Sequence, residues 1–173
     1  MVRDHRDVTV ADALGIGLSG AWTEADFRKI RSAAAKVWPR VPCCATNDLE
    51  IALTAAADGK RAERFPQVLV VSCTGSGCYG KSLKGEGVKV GGWGHVLGDK
   101  GSGYDIGLRA LQAVVDSYDQ ELVWPQLGRR LLRTLLLNEP NDLIDWAQGA
   151  DKTEIASLAA EVFAAWARKD RLA

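Results

Sequence analysis

This 173-residue sequence has no excess of basic charge and no long apolar run. Lysine plus arginine and aspartate plus glutamate number 22 each, so the charge balance offers no basic surface for nucleic acid and no polybasic patch for a membrane. No apolar run approaches the roughly 18 residues of a membrane-spanning helix, and the charged start MVRDHRD is unlike a secretory signal. We therefore expect a cytoplasmic protein that binds neither nucleic acid nor membrane.

Histidine and cysteine are too few, and too irregularly spaced, for a zinc site. The chain has two histidines and four cysteines, of which Cys43 and Cys44 are adjacent and Cys73 and Cys78 flank a glycine-rich segment. These spacings do not match those of structural zinc sites. We predict no metal-ligand set and four reduced thiols, as is usual in the cytosol.

The composition that is present is that of a globular protein, with 47% hydrophobic and 25% charged residues. ALGIGLSG and VPCCATND read as short buried strands. A helix with Thr23 as its N-cap follows the first strand, and a helix from Asp48 to Gly59 follows the second. This alternation predicts a parallel α/β arrangement.

The pattern changes after KRAERFPQ, residues 60–67, and we expect a boundary between two units near residues 60–68. VLVVSCTGSGCYG is predicted as a strand that enters a glycine turn, and VKVGG as its returning partner after the KGEG turn. From Tyr104 onward the apolar spacing predicts helices, the last of them over 152–173. Five tryptophans are interpreted as core or packing residues: Trp22, Trp38, Trp124, Trp146 and Trp166.

Asp48 follows a predicted strand, at the sheet edge where ligands bind in open α/β folds. A carboxylate at this place can accept a proton from a hydroxyl nucleophile. An aspartate at the start of a helix is also a common N-cap. Both roles stay open for Asp48 at this point.

The segment SCTGSG, residues 72–77, is a candidate phosphate-binding turn. Gly75 and Gly77 permit a tight turn in which successive N–H groups converge on an anion, and Thr74 and Ser76 add hydroxyl donors. Glycine-rich hairpin turns also occur without a ligand, and the segment matches neither the Walker A nor the Rossmann pattern. A phosphate site and a plain hairpin turn both stay open.

The stretch KVGGWGHVLGDKGSGYDIG, residues 89–107, carries far more glycine than a purely structural loop needs, given the conformational entropy that glycine loses on folding. Gly92 and Gly94 let the main chain approach a ligand closely. Trp93 offers a flat apolar face suited to a sugar ring, and Asp99 offers two acceptor oxygens for neighbouring hydroxyls. This loop is a candidate sugar-binding segment.

In order along the chain, ALGIGLSG, TND, VLVVSCTGSG and VGGWGHVLGDKGSGYDIG resemble the N-acetylglucosamine kinase branch of the BadF/BadG/BcrA/BcrD ATPase family, from about Ala13 onward. The last motif is long and specific. The resemblance implies an α/β, actin-like (ribonuclease-H-like) ATPase fold and an ATP-dependent amino-sugar kinase that uses Mg²⁺. It also implies part of an N-terminal lobe over 1–62 and part of a C-terminal lobe over 63–173.

The same resemblance implies roles for individual residues. Asp48 matches the general base that acts on the sugar 6-hydroxyl. The implied phosphate contacts are Thr74, Gly75 and Ser76. The implied sugar contacts are Asn47, Gly92, Trp93, Gly94 and Asp99. The glycine-rich loop is then the wall of a sugar pocket in the cleft between the lobes.

The sequence also departs from the family pattern. The family's first phosphate loop, a glycine-rich hairpin, does not precede Ala13, and its adenine-binding glycines should lie beyond residue 173. Cys73 stands where the family has glycine, and Lys100 where it has an acidic residue. We therefore expect a truncated chain with impaired catalysis, since each lost transition-state donor costs roughly 10²–10³-fold in rate.

Two other functions stay open. A non-catalytic fragment would bind sugar weakly or self-associate as a homo-oligomer through uncovered apolar edges. An activator ATPase of radical acyl-CoA dehydratases or reductases would need cysteines placed to hold an iron–sulfur cluster. The cysteines here lie in strand and phosphate-turn positions, which favours the kinase.

Overall fold

The computed structural model describes residues 11–57 and 64–173 and confirms the mixed α/β organisation. The chain divides into two compact units, Met1–Leu69 with Tyr79–Val88 and Val70–Cys78 with Lys89–Ala173. The predicted helix end at Gly59 lies outside the described residues. All four cysteines lie within them and are free thiols, as predicted.

The first unit contains a parallel strand pair with two helices. Its elements are β1 (Leu14–Leu18), α1 (Glu24–Val37), β2 (Cys43–Asn47) and α2 (Asp48–Ala56). β1 and β2 are in register from Leu14 opposite Cys43 to Leu18 opposite Asn47. Thr23 is the predicted N-cap of α1, where it forms a reciprocal capping box with Asp26. The strand–helix–strand–helix prediction is therefore confirmed.

A three-stranded sheet follows, with the strand order β3-β4-β5. Its strands are β3 (Gln67–Ser72), β4 (Ser76–Lys81) and β5 (Gly87–Gly91). The prediction of a single strand through GCYG with VKVGG as its partner is wrong, because residues 76–81 form a strand of their own between the other two. Residues 73–75 and 82–86 form the connections, which are short enough for hairpins between antiparallel neighbours. The first connection is the turn of the SCTGSG segment, which thus lies at one end of the β3–β4 pair.

Helices make up the rest of the second unit. They are α3 (Gly94–Leu97), α4 (Gly103–Glu121), α5 (Gln126–Leu135), α6 (Asp142–Gly149), α7 (Lys152–Ser157) and α8 (Ala159–Trp166). Val114, Leu127, Leu131 and Leu158 are fully buried at the centre of their core. Burying one such side chain stabilises the fold by about 1.5–3 kcal/mol, so these apolar positions hold α4, α5 and α8 together.

Two expectations about helices and their tryptophans are wrong. The last helix does not run over 152–173, because the chain tightens at Leu158, whose N–H bonds the carbonyl of Ile155 only three residues back at 3.2 Å. The helix then ends at Trp166. Trp38 and Trp166 are also not core residues, since 43% and 67% of their surfaces are exposed. Helical spacing shows which residues share a face, but not whether another element covers that face.

Candidate functional site

In the first unit, β2 passes directly into α2 at Asn47 and Asp48. Asn47 is only 4% exposed, and its side-chain oxygen accepts a hydrogen bond from the N–H of Glu50 at 2.7 Å, so Asn47 is the N-cap. The N-cap interpretation of Asp48 is therefore wrong. Asp48 is the first helical residue and half-buried, and one carboxylate oxygen accepts from the N–H of Leu49 at 3.0 Å. Its other oxygen has no partner among the described residues and stays available to a proton donor.

Glu50, one turn into α2, is the centre of a polar cluster in the same unit. It accepts a hydrogen bond from the Thr46 hydroxyl and pairs with the Lys81 ammonium at 3.5 Å. Burial and, to a smaller extent, the charge and hydrogen bonding of Glu50 raise the pKa of Tyr79 above its ordinary value. Sequence reasoning missed this cluster, because Lys81 lies 31 residues from Glu50.

In the second unit, the turn at residues 73–75 is bonded to the start of α4. The N–H of Cys73 donates to the carbonyl of Gly75 at 2.8 Å, which closes the turn. Two N–H groups of α4 donate back to it, from Gly103 to Cys73 at 2.8 Å and from Tyr104 to Thr74 at 3.3 Å. Thr74 itself is half-buried, and no group in the part of the chain that the structure describes hydrogen-bonds its hydroxyl. The turn is thus fixed while one hydroxyl remains available to a ligand.

Asp99 is the buried carboxylate that braces this turn. Its side chain is 4% exposed and accepts from the N–H of Ser76 at 3.0 Å and from the ammonium of Lys152 at 2.7 Å. Burial alone would raise the pKa of Asp99, but the hydrogen bonds from Lys152 and Ser76, with the charges of Lys152 and His95, hold it below its ordinary value. Asp99 also has a left-handed backbone, with φ of 56°. Its carboxylate is therefore ionised and held in one orientation.

The Asp99–Lys152 ion pair lies against Gly75 and leaves no room for a side chain there. A Cβ at this position would stand 2.9 Å from an oxygen of Asp99 and 3.0 Å from the Lys152 ammonium. Any side chain would have to push the ion pair away. The glycine thus allows the turn to lie close to the Asp99–Lys152 ion pair. Nothing in the sequence indicated this contact, because the three residues are far apart along the chain.

Trp93 differs from Asp99 in being on the surface. It is 73% exposed, and the ammonium of Lys89 lies over its ring, 5.6 Å from the centroid. Gly92 and Gly94 on either side have left-handed backbones, with φ of 67° and 79°, which are conformations that favour glycine. The open face of the indole is a surface on which a sugar ring can stack.

The structure brings several of the predicted residues of the second unit together. Asp99 bonds Ser76 and lies against Gly75, and the N–H of Gly92 donates to the carbonyl of Ser76 at 3.1 Å. The candidate phosphate turn and the glycine-rich loop are therefore one bonded assembly. Asn47 and Asp48 belong to the first unit, where they are neighbours. Lys152 was missed, although the DKTE sequence at residues 151–154 signals the capping box that starts α7.

The chemistry of the second-unit turn fits a phosphate group better than a metal ion. Thr74 can donate to a phosphate oxygen, whereas the Asp99 carboxylate is already held by Ser76 and Lys152. Within residues 11–57 and 64–173, no three histidine, cysteine, aspartate or glutamate side chains form a metal-binding group. Nor does this part of the chain contain a helix both long and apolar enough to cross a bilayer.

Comparison with known proteins identifies relatives over most of the chain. The model of the BadF/BadG/BcrA/BcrD ATPase family matches residues 4–173. An N-acetylmuramic acid/N-acetylglucosamine kinase of Clostridium acetobutylicum is 36% identical over 160 residues, which cover 91% of this chain and 51% of that protein. An N-acetyl-D-glucosamine kinase of Dictyostelium discoideum is 35% identical over 147 residues, covering 83% and 44%. The chain thus spans about half the length of the curated relatives it matches.

Two solved structures assigned as N-acetylglucosamine kinases have a similar fold. The one from Chromobacterium violaceum has a TM-score of 0.62 and 24% identity, covering 90% of this chain and 52% of that one. The one from Porphyromonas gingivalis has a TM-score of 0.67 and 18% identity, covering 92% and 53%. These comparisons confirm the actin-like ATPase fold and the family resemblance noted from the motifs.

Proposed function

The chain belongs to the BadF/BadG/BcrA/BcrD ATPase family, and from this premise we propose that it acts as an N-acetylglucosamine kinase-like phosphotransferase. The reaction is transfer of the ATP γ-phosphoryl group to the 6-hydroxyl of an amino sugar in the cytoplasm. The relatives named as N-acetylglucosamine and N-acetylmuramic acid kinases support the substrate class. The observation that carries the proposal is the bonding of Ser76 in the candidate phosphate turn to Asp99 in the candidate sugar loop.

Asp48 is the proposed general base. Its half-buried carboxylate has one oxygen without a hydrogen-bond partner among the described residues, which suits a group that takes a proton from a hydroxyl. As the hydroxyl proton passes to Asp48, the sugar oxygen bonds to the γ-phosphorus and the bond from that phosphorus to the ADP oxygen breaks. Phosphoryl transfer depends mainly on positioning and charge stabilisation, so a fixed carboxylate is a suitable catalyst.

The proposed binding roles are those that the family motifs imply. Thr74, Gly75 and Ser76 are the proposed phosphate contacts, with the Thr74 hydroxyl as the donor that is still available. The proposed sugar contacts are Asn47, Gly92, Trp93, Gly94 and Asp99. ATP would bring Mg²⁺, which neutralises phosphate charge, and no described residue is assigned as its ligand.

The direct test is formation of sugar 6-phosphate, followed by mass spectrometry so that slow turnover is detected. Incubation with ATP and N-acetylglucosamine, N-acetylmuramic acid or glucosamine should yield product. Asp48→Asn should lower the rate by roughly 10²–10⁴-fold, whereas Glu24→Gln, a matched change on the exposed side of α1, should leave it unchanged. ATP hydrolysis that does not depend on sugar, or full activity of Asp48→Asn, would contradict the proposal.

A second candidate function, self-association without catalysis, is favoured by one observation. Four valines on β3 and β5 are 61–71% exposed: Val68, Val70, Val88 and Val90. Exposed apolar side chains on the strands of a sheet favour pairing with another chain. Sedimentation velocity distinguishes the candidates, since a monodisperse monomer with sugar-dependent product formation excludes the second.

A further inference from the structure

Lys152 supplies a positive charge at the candidate phosphate turn. Its ammonium is 2.7 Å from Asp99 Oδ2 and 3.0 Å from the place a Cβ on Gly75 would occupy. It reaches this point from the first residue of α7, whose start is fixed by the capping box between Asp151 and Glu154. The side chain of Asp99 is 4% exposed and that of Lys152 is 34% exposed. The buried member of the pair is therefore the acid, and the base lies beside Gly75 of the turn.

The carboxylate of Asp99 creates an electrostatic difficulty at this position. It is needed to hold the Ser76 amide, and thereby the shape of the turn. A buried negative charge beside a phosphate-binding turn also repels the ligand, and the repulsion is stronger in a protein interior than in water. A neighbouring cation removes this conflict without disturbing the bond to Ser76.

We propose that Lys152 is a positioning residue for phosphate binding, which neutralises Asp99 so that this carboxylate braces the turn without repelling the phosphates held there. The inference rests on the proposed function for its ligand, a chain of phosphates. The role is distinct from a direct sugar contact. The proposed role of Lys152 therefore requires that the Asp99 carboxylate is ionised.

The Arg130–Glu161 ion pair provides a matched control. It joins α5 to α8 in the same unit, its N···O distance is also 2.7 Å, and its side chains are 19% and 24% exposed. No hydrogen bond joins this pair to residues 73–76 within the described residues. Arg130→Met therefore removes a comparable ion pair without altering the charge at the turn.

The experiment measures binding of inorganic tripolyphosphate, which needs no adenine site, by titration calorimetry at pH 8 on the full 173-residue chain. Lys152→Met should weaken binding about tenfold, because one uncompensated charge remains beside the turn. Lys152→Arg should bind like the wild type. The double variant Lys152→Met with Asp99→Asn removes both charges, keeps an acceptor for Ser76, and should recover wild-type affinity to within about threefold.

Several outcomes would overturn the inference. If the Lys152→Met variant binds like the wild type, or if the double variant is as weak as Lys152→Met, charge compensation is wrong and Lys152 acts by contacting phosphate or by holding the fold. Arg130→Met measures how much tripolyphosphate binding is lost through destabilisation alone. Thermal unfolding confirms that each variant is folded. If the wild type does not bind tripolyphosphate, the phosphate site itself fails, and the proposed function with it. If instead the wild type binds tripolyphosphate and the variants bind it equally well, only the inference about Lys152 fails.

Discussion

Each of the two units contains a carboxylate that joins distant parts of the chain, and the two carboxylates differ in burial. Glu50 in the first unit is 29% exposed and pairs with Lys81 at 3.5 Å. Asp99 in the second unit is 4% exposed and pairs with Lys152 at 2.7 Å. Exposed pairs contribute little because water solvates both charges anyway, whereas a buried charge depends on its partners. The Asp99–Lys152 pair is therefore expected to contribute more to the free energy of unfolding than the Glu50–Lys81 pair.

The largest effect should come from removing the buried carboxylate. Asp99→Ala leaves the Ser76 amide and the Lys152 ammonium without their acceptor. We expect a loss of about 2–4 kcal/mol in the free energy of unfolding, measured by urea denaturation. Glu50→Ala should lose less, and an equal loss would show that burial does not account for the difference.

The next largest effect tests the close approach at the turn. Gly75→Ala would place a methyl group 2.9 Å from Asp99 and 3.0 Å from Lys152, which should destabilise the second unit by about 1–3 kcal/mol. Gly149→Ala is the matched control, since nothing lies within 4 Å of its added Cβ. If both variants are equally stable, the turn has more room than the structure indicates. Hydrogen exchange of the amides at residues 73–77 should increase only in Gly75→Ala.

Acid should remove the stability that the ionised Asp99 gives to the second unit. The pKa of Asp99 is below its ordinary value because its hydrogen bonds and neighbouring charges outweigh burial. The folded state therefore binds the proton less readily than the unfolded state. The resulting stability is present above about pH 4, the unfolded pKa, and is lost as the pH falls through the lower folded pKa. Denaturation between pH 5 and about pH 3 should show a shallower decline for Asp99→Asn than for the wild type.

The smallest effect should come from the less buried of the two pairs, Glu50 with Lys81. Lys81→Met removes the ion pair with Glu50. The N···O distance of that pair is 3.5 Å, and both side chains are partly exposed. We expect a change of about 0–1 kcal/mol in the free energy of unfolding, and less in high salt. A loss as large as that expected for Asp99→Ala would contradict the contrast between the two units.

Local features of the fold could be predicted from the sequence because their partners are close along the chain. Thr23 caps α1 through residues three positions away, and the strand–helix alternation of the first unit follows from apolar spacing. The sequence offers Asp48 as a cap of α2, whereas the cap lies one residue earlier, at Asn47. Asparagine and aspartate cap almost equally well, so the sequence could not separate two adjacent candidates.

Features that depend on packing could not be predicted. The break at Leu158 and the exposure of Trp166 depend on how the helices of the second unit meet. The motifs pointed to Thr74, Gly75, Ser76 and Asp99 as ligand contacts, and these roles remain predictions. That Asp99 braces the turn became visible only when its partners, 23 and 53 residues away, were placed beside it.

The sequence by itself determined the family, the strand–helix alternation of the first unit and the cap at Thr23, because each depends on residue types at fixed, short spacings. The tertiary structure decided which charges meet. Lys152 is an ordinary first residue of a short helix until α7 packs against α4 and brings its ammonium to Asp99 and Gly75. The reason is physical: burial and ion pairing depend on which distant surfaces exclude water together, and no local pattern records that.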